Sequence, residues 1–340
     1  MRIGKFDTDK DVFIVAEIGN NHEGSFQLAQ DLIGLAAEAG AHAVKFQTFI
    51  TERYLSPIEE ARFKRAKGFE LKFEQFAELS RFAEKQGIIF FSTPLDIESA
   101  TFLANIQPVF KIASGDNTFY QLIEEIAKSG KPIIMSGGLV DFSQLHFSKA
   151  MIELVWQQHQ IAPQGLSLLH CVTSYPVPAA EANLRAITAF REEFPDATIG
   201  YSDHTLGIEA CVLAVALGAR ILEKHFTISK SHSEFRDHKL SAEPQELKEL
   251  VERVRAATVL LGAEGRAVQQ CERDINDSMR RSIMAKRALP VGHRVSLADI
   301  TWTRPSVGLA PGSEQLVLGK VLKRALGMGE PITLEVVDEG

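Results

Sequence analysis

Two periods of hydrophobic and polar positions alternate along this chain. Short runs rich in Val, Ile and Phe read as buried strands: 12–18 "VFIVAEI", 42–47 "HAVKFQ", 88–93 "IIFFST", 109–114 "VFKIAS", 132–137 "PIIMSG", 166–171 "LSLLHC", 198–202 "TIGYS" and 220–226 "RILEKHF". Between them lie stretches whose apolar residues recur at three and four. Examples are 25–40 "SFQLAQDLIGLAAEAG", which stops at Gly40, 73–87 "FEQFAELSRFAEKQG" and 244–262 "PQELKELVERVRAATVLLG". Strand alternating with helix predicts parallel strands joined by helical crossovers. The eight units, ending near Gly262, have the count and size of a (β/α)8 TIM barrel. An open doubly wound sheet usually carries a glycine-rich phosphate fingerprint after its first strand, and "EIGNNHEG" lacks that spacing.

The pattern changes after the last unit. Residues 1–265 read as the barrel and 266–282, with "CERDINDSMRRS", as a linker carrying both signs of charge. Over 283–340, Gly and Pro punctuate short β-like runs, which predicts a small, mostly β domain. About 60 residues give a marginal core, so this domain is expected to lean on another surface.

Composition narrows the function classes. The hydrophobic share is 45%, enough for a sizeable core in 340 residues. A net charge of -7 disfavours a nucleic-acid binder, whose footprint is a basic surface. It leaves room for an anionic small molecule, because a few local lysines override the global sign. Cys171, Cys211 and Cys271 are widely spaced, which suits a reducing cytosol. The beginning, "MRIGKFDTDKDVFIV", has acidic residues and no sustained apolar run, so no signal peptide or membrane span is expected, and the expected location is cytoplasmic.

The chemistry of a (β/α)8 barrel sits at the carboxyl ends of its strands, and here that edge is polar almost throughout. In order it offers Glu17, then Asn20, Asn21 and His22; Lys45 and Gln47; Ser92 and Thr93; Lys111, Ser114 and Asp116; Ser136; His170, Cys171, Thr173, Ser174 and Tyr175; Ser202, Asp203 and His204; and Glu223, Lys224 and His225. Each has an ordinary explanation alone. Ser202 or Asp203 could cap a helix starting near Leu206, a strand-end His could be structural, and Lys45 or Lys111 could snorkel to the rim. Their concentration has none, because charged groups are rarely buried unless paired or used.

His204 and His225 end adjacent strands and can face one ion. With no thiol expected beside them, a closed zinc site is disfavoured and a divalent ion with open positions is favoured. Lys45, Lys111, Ser114, Ser136 and Thr93 could together cradle a phosphate. Glu17 and Asp116 remain as acid–base candidates.

"AEIGNNHEG", "KFQT", "STP", "KIASGD", "LLHC…YP", "GYSDHT" and "EKHFT", in this order, resemble the motifs of the sialic acid synthase family. The tail, with "LADITWTRPSVGLAPG" and "LGKVLKRALGMGEPIT", is similar to the antifreeze-like SAF domain that ends those synthases. Chains of spore-coat polysaccharide synthesis share the layout. The resemblance implies an enzyme that joins phosphoenolpyruvate to an aldehyde sugar, N-acetylmannosamine or a relative, releasing phosphate and making a nine-carbon 2-keto acid for cell-surface polysaccharide. It implies that His204 and His225 hold a divalent metal ion, manganese first and magnesium or cobalt as alternatives, which would act as a Lewis acid. It puts Lys45, Thr93, Lys111, Ser114, Ser136, Thr173 and Ser202 on phosphoenolpyruvate. Gln47, Tyr175, Asp237 and Arg304 fall to the sugar, and Glu17 and Asp116 to proton transfer. It also implies a domain-swapped homodimer in which Arg304 reaches the partner's active site. Ser202 then meets phosphoenolpyruvate and His204 the metal, while Asp203 and Thr205 orient the turn and cap the next helix.

Three departures touch the sugar side more than the phosphoenolpyruvate side. The family's Pro-Gly-Pro-Asp after the eighth strand is replaced by "EFRDHKLS", which keeps Asp237; Thr173 stands where Asn or Ser is common; and Asp116 stands where some members carry Glu. Two other readings share the fold. One is a metal-independent aldolase with a Schiff base on Lys45, Lys111 or Lys224, and the other is a non-catalytic carbohydrate binder.

Overall fold

The computed structural model describes residues 1–263 and 265–338. They form two compact units, Met1–Gly262 and Ala263–Gly340. The first contains an eight-stranded sheet. Its strands are β1 (Phe13–Gly19), β2 (Ala43–Thr48), β3 (Ile89–Pro94), β4 (Phe110–Ile112), β5 (Ile133–Ser136), β6 (Leu166–Cys171), β7 (Thr198–Asp203) and β8 (Ile221–His225). They run β3-β2-β1-β8-β7-β6-β5-β4, with every ladder parallel. The two ends of that order, β3 and β4, approach with Cα atoms within 8 Å, which closes the sheet into the expected barrel.

The crossover helices are α1 (Phe26–Glu38), α3 (Phe73–Lys85), α4 (Ile97–Leu103), α5 (Tyr120–Lys128), α6 (Phe142–Gln158), α7 (Ala186–Glu193), α8 (Glu209–Ala216) and α10 (Pro244–Leu261). Further helices are inserted: the single turn Thr51–Tyr54 and α2 (Glu60–Phe69) after β2, and α9 (Arg236–Leu240) after β8. Helix α1 shows the local logic. Ser25 Oγ accepts from Leu28 N at 3.2 Å and caps its start. Ala29, Leu32, Ile33 and Ala36, one face at helical spacing, are buried against the barrel, and Gly40 (φ +86) ends the turn in a conformation that favours glycine. Truncating Leu32 to Ala there costs about 2–5 kcal/mol.

The period of two along each strand sorts residues between two cores. On β1, Ile14, Ala16 and Ile18 face the helices, whereas Phe13 and Val15 join Ala43, Phe91, Val109, Ile134, Leu169 and Ile221 inside the barrel. An N-terminal hairpin, Arg2–Ile3 with Phe6–Asp7, adds Ile3 to this interior cluster near the strands' amino ends. At Gly200 an added Cβ would lie 2.5 Å from the Ile221 carbonyl and collide with Leu169, so the β7–β8 approach needs glycine.

The sequence placed the helix after β7 near Leu206. It begins instead at Glu209, and Leu206 is exposed, because Asp203 organises the intervening turn. The "EFRDHKLS" segment contains the short helix α9.

The second unit starts earlier than the expected domain boundary, at Ala263. The stretch read as a linker carries two short helices, Gln270–Arg273 and Asn276–Met279. Residue 264, next to that boundary, and residues 339 and 340 of the tail lie outside the described residues. The tail pairs β9 (Ser282–Ala285) with β10 (Ile300–Thr303), antiparallel, over its own core of Ile283, Leu289, Val295, Ile300, Leu322 and Ile332, among others. Asp299 ties it together, accepting from Arg287 at 2.6 Å, His293 at 2.9 Å and Ser296 Oγ at 2.7 Å.

Candidate active site

The alternation that buries Phe13 and Val15 inside the barrel also carries Glu17 inward one layer higher. The same parity brings in Lys45 and Gln47 on β2, Thr93 on β3, Lys111 on β4, Ser136 on β5, Cys171 on β6, Ser202 on β7, and Glu223 and His225 on β8. With His204 just beyond β7, they line one cavity of about 390 Å³. Ser114, Asp116, Thr173, Tyr175 and Asp237 complete the wall from the following loops. Every site residue expected in the barrel unit therefore lines a single cavity. Arg304 belongs to the second unit, where it is exposed and its Nε donates to the Met279 carbonyl at 2.6 Å.

Lys45 and Lys111 are buried rather than snorkelling. Lys45 Nζ lies 3.2 Å from Glu17 Oε2, 3.2 Å from Glu223 Oε1 and 3.3 Å from Thr93 Oγ1. Lys111 Nζ donates to Ser136 Oγ at 2.6 Å and lies 3.9 Å from Glu223. Ser202 Oγ donates to the same Glu223 oxygen at 2.9 Å.

This wiring separates the charges. Burial alone would raise the Glu223 carboxyl, but Lys111, Lys45 and Ser202 hold it down to about 2. Burial pushes Glu17 up to about 7 against the pull of Lys45. Burial also lowers Lys111 to about 8, whereas two carboxylates overcome burial at Lys45 and raise it. Near neutrality two ammonium groups thus face one fully charged carboxylate and one that is partly protonated. The excess is positive and desolvated, and it suits an anion. Asp116 has no side-chain partner among the described residues, and burial raises it to about 6.

Hydroxyls surround this positive pocket. Ser114 Oγ accepts from Gly138 N at 3.2 Å. A Cβ on Gly138 would lie 2.6 Å from Ser114 Oγ and strike Thr173 Oγ1, so glycine keeps both hydroxyls open to the cavity. Asn117 Nδ2 holds that loop through the Ser136 and Gly138 carbonyls, at 3.1 and 2.9 Å.

The two imidazoles stand with ring centroids 5.2 Å apart. His204 Nδ1 donates to the Val172 carbonyl at 2.8 Å, which fixes a proton there, so that the neutral ring carries its lone pair on Nε2; burial would lower its titration, but Cys171 and the Val172 carbonyl raise it above the ordinary imidazole value. His225 is buried, its Nδ1 has no hydrogen-bond partner among the described residues, and desolvation keeps the ring neutral. A fixed tautomer and an orphaned neutral imidazole fit a divalent ion. Among the described residues no group of three or more His, Cys, Asp or Glu is arranged to hold a metal ion, so the two imidazoles are the candidate ligands the chain offers here.

The expectation that no thiol lies beside the histidines is corrected. Cys171 Sγ is 3.8 Å from His204 Nδ1. It meets the edge of the ring already bonded to Val172, on the side away from Nε2. Tyr175 meets both rings, tilted against His204 with centroids 4.2 Å apart and perpendicular to His225 at 5.8 Å, and carries the Arg236 guanidinium 4.7 Å above its own ring.

The sequence profile of the NeuB family matches residues 32–266, and that of the SAF domain matches residues 280–337. The chain belongs to the NeuB family. It is 36% identical to N,N'-diacetyllegionaminic acid synthase of Campylobacter jejuni, covering 92% of this chain and 96% of that one. It is 34% identical to human N-acetylneuraminate-9-phosphate synthase, covering 85% and 82%. The crystal structure of N-acetylneuraminic acid synthetase from Leptospira borgpetersenii superposes with a TM-score of 0.75 at 35% identity, covering 81% of this chain and 94% of that one.

Within this NeuB-family chain, strand parity carries a signal that residue-by-residue reading leaves unused. Glu223 and Cys171 stand among the polar strand ends without an expected role, yet they share the inward parity of His225 and Leu169. Asn20, whose Nδ2 donates to Gln47 Oε1 at 2.8 Å, is likewise without one. Arg62, Arg65 and Phe69 of α2, and Arg236 of α9, reach the cavity from inserted segments that no strand pattern anticipates.

Proposed function

We propose that this chain is a nonulosonic acid synthase that joins phosphoenolpyruvate to an open-chain N-acyl aldose and releases phosphate. One observation carries the reading: two buried lysines, ringed by hydroxyls, share a cavity with two neutral-capable imidazoles. An aldolase lacking phosphoenolpyruvate needs no phosphate cradle, and a sugar binder needs neither feature.

Lys45 and Lys111 neutralise the phosphate and carboxylate of phosphoenolpyruvate, while Thr93, Ser114, Ser136, Thr173 and Ser202 donate to their oxygens. His204 and His225 hold a divalent ion, manganese first, which when bound supplies Lewis-acid polarisation of the sugar aldehyde. Carbon 3 of phosphoenolpyruvate forms a bond to the aldehyde carbon, and Glu17, in its protonated form, gives a proton to the former aldehyde oxygen. Asp116 takes a proton from the water that adds at carbon 2; the carbon–oxygen bond to phosphate then breaks with its electron pair leaving on phosphate, while the new carbon-2 hydroxyl gives its proton to the departing phosphate and becomes the keto oxygen. Gln47, Tyr175 and Asp237 orient the sugar.

We place the reaction in the cytoplasm, in a homodimer whose tail reaches across to the partner's barrel. Two features support the exchange. Arg304 sits on an exposed loop pinned by Ser282 Oγ, which accepts from Val307 N and Gly308 N at 2.9 and 3.0 Å. Trp302 and Val307 on either side of it are exposed apolar groups. The product feeds cell-surface polysaccharide.

The deciding experiment measures phosphate release from phosphoenolpyruvate against a panel of N-acyl hexosamines and deoxy sugars. Absence of release with every sugar, in the presence of manganese, magnesium or cobalt, overturns the reading. A Schiff-base aldolase keeps one supporting observation, the lowered Lys111. Borohydride with sugar and pyruvate would trap Lys111 in that case and leave the synthase untouched.

A further inference from the structure

Strand parity places Asp203 and Lys224 on the outer face of the barrel, one residue before His204 and His225 respectively. The β7–β8 register sets them directly opposite one another. Lys224 Nζ donates to Asp203 Oδ2 at 2.8 Å, with both side chains withdrawn from solvent. Lys224 Nζ also donates to the Thr205 carbonyl at 2.6 Å. Asp203 Oδ1 accepts from Thr205 N at 2.8 Å and from the Tyr201 hydroxyl at 3.0 Å, and Cys211 Sγ lies 3.4 Å from Oδ2.

These bonds grip the backbone on both sides of His204, at residues 203 and 205. They are anchored on β8 immediately before His225. One ion pair therefore joins the two points from which the imidazoles hang.

Fold stability alone is a weak reason for such a pair. A buried ion pair is often no more stabilising than apolar side chains of the same volume, and the preceding outward positions of both strands, Tyr201 and Leu222, are hydrophobic. What the pair adds is direction. Hydrogen bonds fix the last residues of β7 in one conformation, where apolar packing would tolerate several.

We propose that Asp203 and Lys224 are positioning residues that set the separation and orientation of His204 and His225, and so the affinity of the divalent-ion site. The proposal rests on the reading that these histidines hold a metal. It also accounts for Lys224 without a Schiff base, since its ammonium lies outside the cavity lining and is held by the Asp203 carboxylate and the Thr205 carbonyl.

The test uses the full-length chain without added sugar. Asp203→Asn/Lys224→Met removes the ion pair, keeps a side-chain amide oxygen at position 203 available to Thr205 N, and leaves no unpaired buried charge. Three quantities are compared with the wild type: the thermal midpoint without metal, the manganese dissociation constant by calorimetry well below that midpoint, and the metal-free affinity for phosphoenolpyruvate. The expected result is a folded variant whose manganese affinity falls about 10- to 100-fold, the range typical of lost outer partners of metal ligands, with phosphoenolpyruvate affinity within about twofold of wild type. A purely structural pair would lower the midpoint and leave the manganese affinity of the folded protein unchanged, which overturns the proposal. Should the double variant not fold, Lys224→Arg keeps the charge but shifts its bonds; a manganese affinity weakened at least about threefold supports the proposal, and an unchanged one overturns it. Manganese binding to the wild type is measured first. If none is found, or if His225→Ala binds as well as wild type, the metal reading itself falls and takes this proposal with it. Wild-type binding together with unaltered variants removes only the positioning role.

Discussion

The ammonium of Lys45 lies 3.2 Å from the Glu17 carboxylate, and both side chains are almost wholly removed from water. The contact is short, yet Glu17 still titrates upward, to about 7, because burial outweighs the attraction. A carboxyl that keeps its proton near neutrality beside a cation is a poised acid.

That poise predicts a bell-shaped pH profile. Asp116 acts ionised, so kcat/KM rises as pH climbs through about 6. Glu17 acts protonated, so kcat/KM falls as pH climbs through about 7. Asp116→Asn is expected to abolish the acidic limb and Glu17→Gln the alkaline one, each with a loss of about 100- to 10,000-fold in rate. A profile of phosphate release in which both variants keep both limbs assigns the protons elsewhere.

Removing either lysine weakens the anion site. Lys45→Met and Lys111→Met are each expected to raise the dissociation constant for phosphoenolpyruvate at least about tenfold while changing sugar binding little, since charge-assisted bonds in a desolvated site are strong. Lys45→Met also leaves Glu17 and Glu223 without their shared cation, at a cost of about 3–5 kcal/mol in stability. Calorimetry on folded protein that shows wild-type phosphoenolpyruvate affinity in both variants would falsify the cradle.

His204→Ala and His225→Ala are expected to lose manganese binding and turnover while retaining the fold, because neither ring supports a strand ladder. Exhaustive chelation of the wild type is expected to stop phosphate release, and readded manganese to restore it. Full turnover after chelation, with metal content checked by elemental analysis, removes the metal from the mechanism.

The tail prediction is read by complementation. Arg304→Ala and His204→Ala chains, each inactive alone, are mixed and allowed to exchange. If Arg304 acts across a dimer, heterodimers regain one intact site, and random pairing returns about one quarter of wild-type activity. Exchange confirmed by mass with no recovery confines Arg304 to its own chain.

Much of the barrel was legible in the sequence. Alternating strand and helix periods fixed the class, and the polar residues at strand ends marked the edge that lines the cavity, because both depend on local periodicity that the chain states directly. The helix after β7 was placed three residues early, because Asp203, at the end of β7, accepts from Thr205 N and holds the intervening residues in a turn.

What the sequence by itself determined is which face of each strand a residue occupies: Glu17, Lys45, Lys111, Glu223 and His225 inward, Asp203 and Lys224 outward. Only the tertiary structure decided who meets whom. The register of β7 on β8 set Ser202 against Glu223 and Lys224 against Asp203, and barrel closure brought Lys45, Lys111 and Glu223 together from strands that are distant along the chain. Cys171 came to rest beside His204 in the same way. Periodicity is a property of a single strand, whereas pairing and charge state depend on the distances between strands, and those exist only once the sheet has closed.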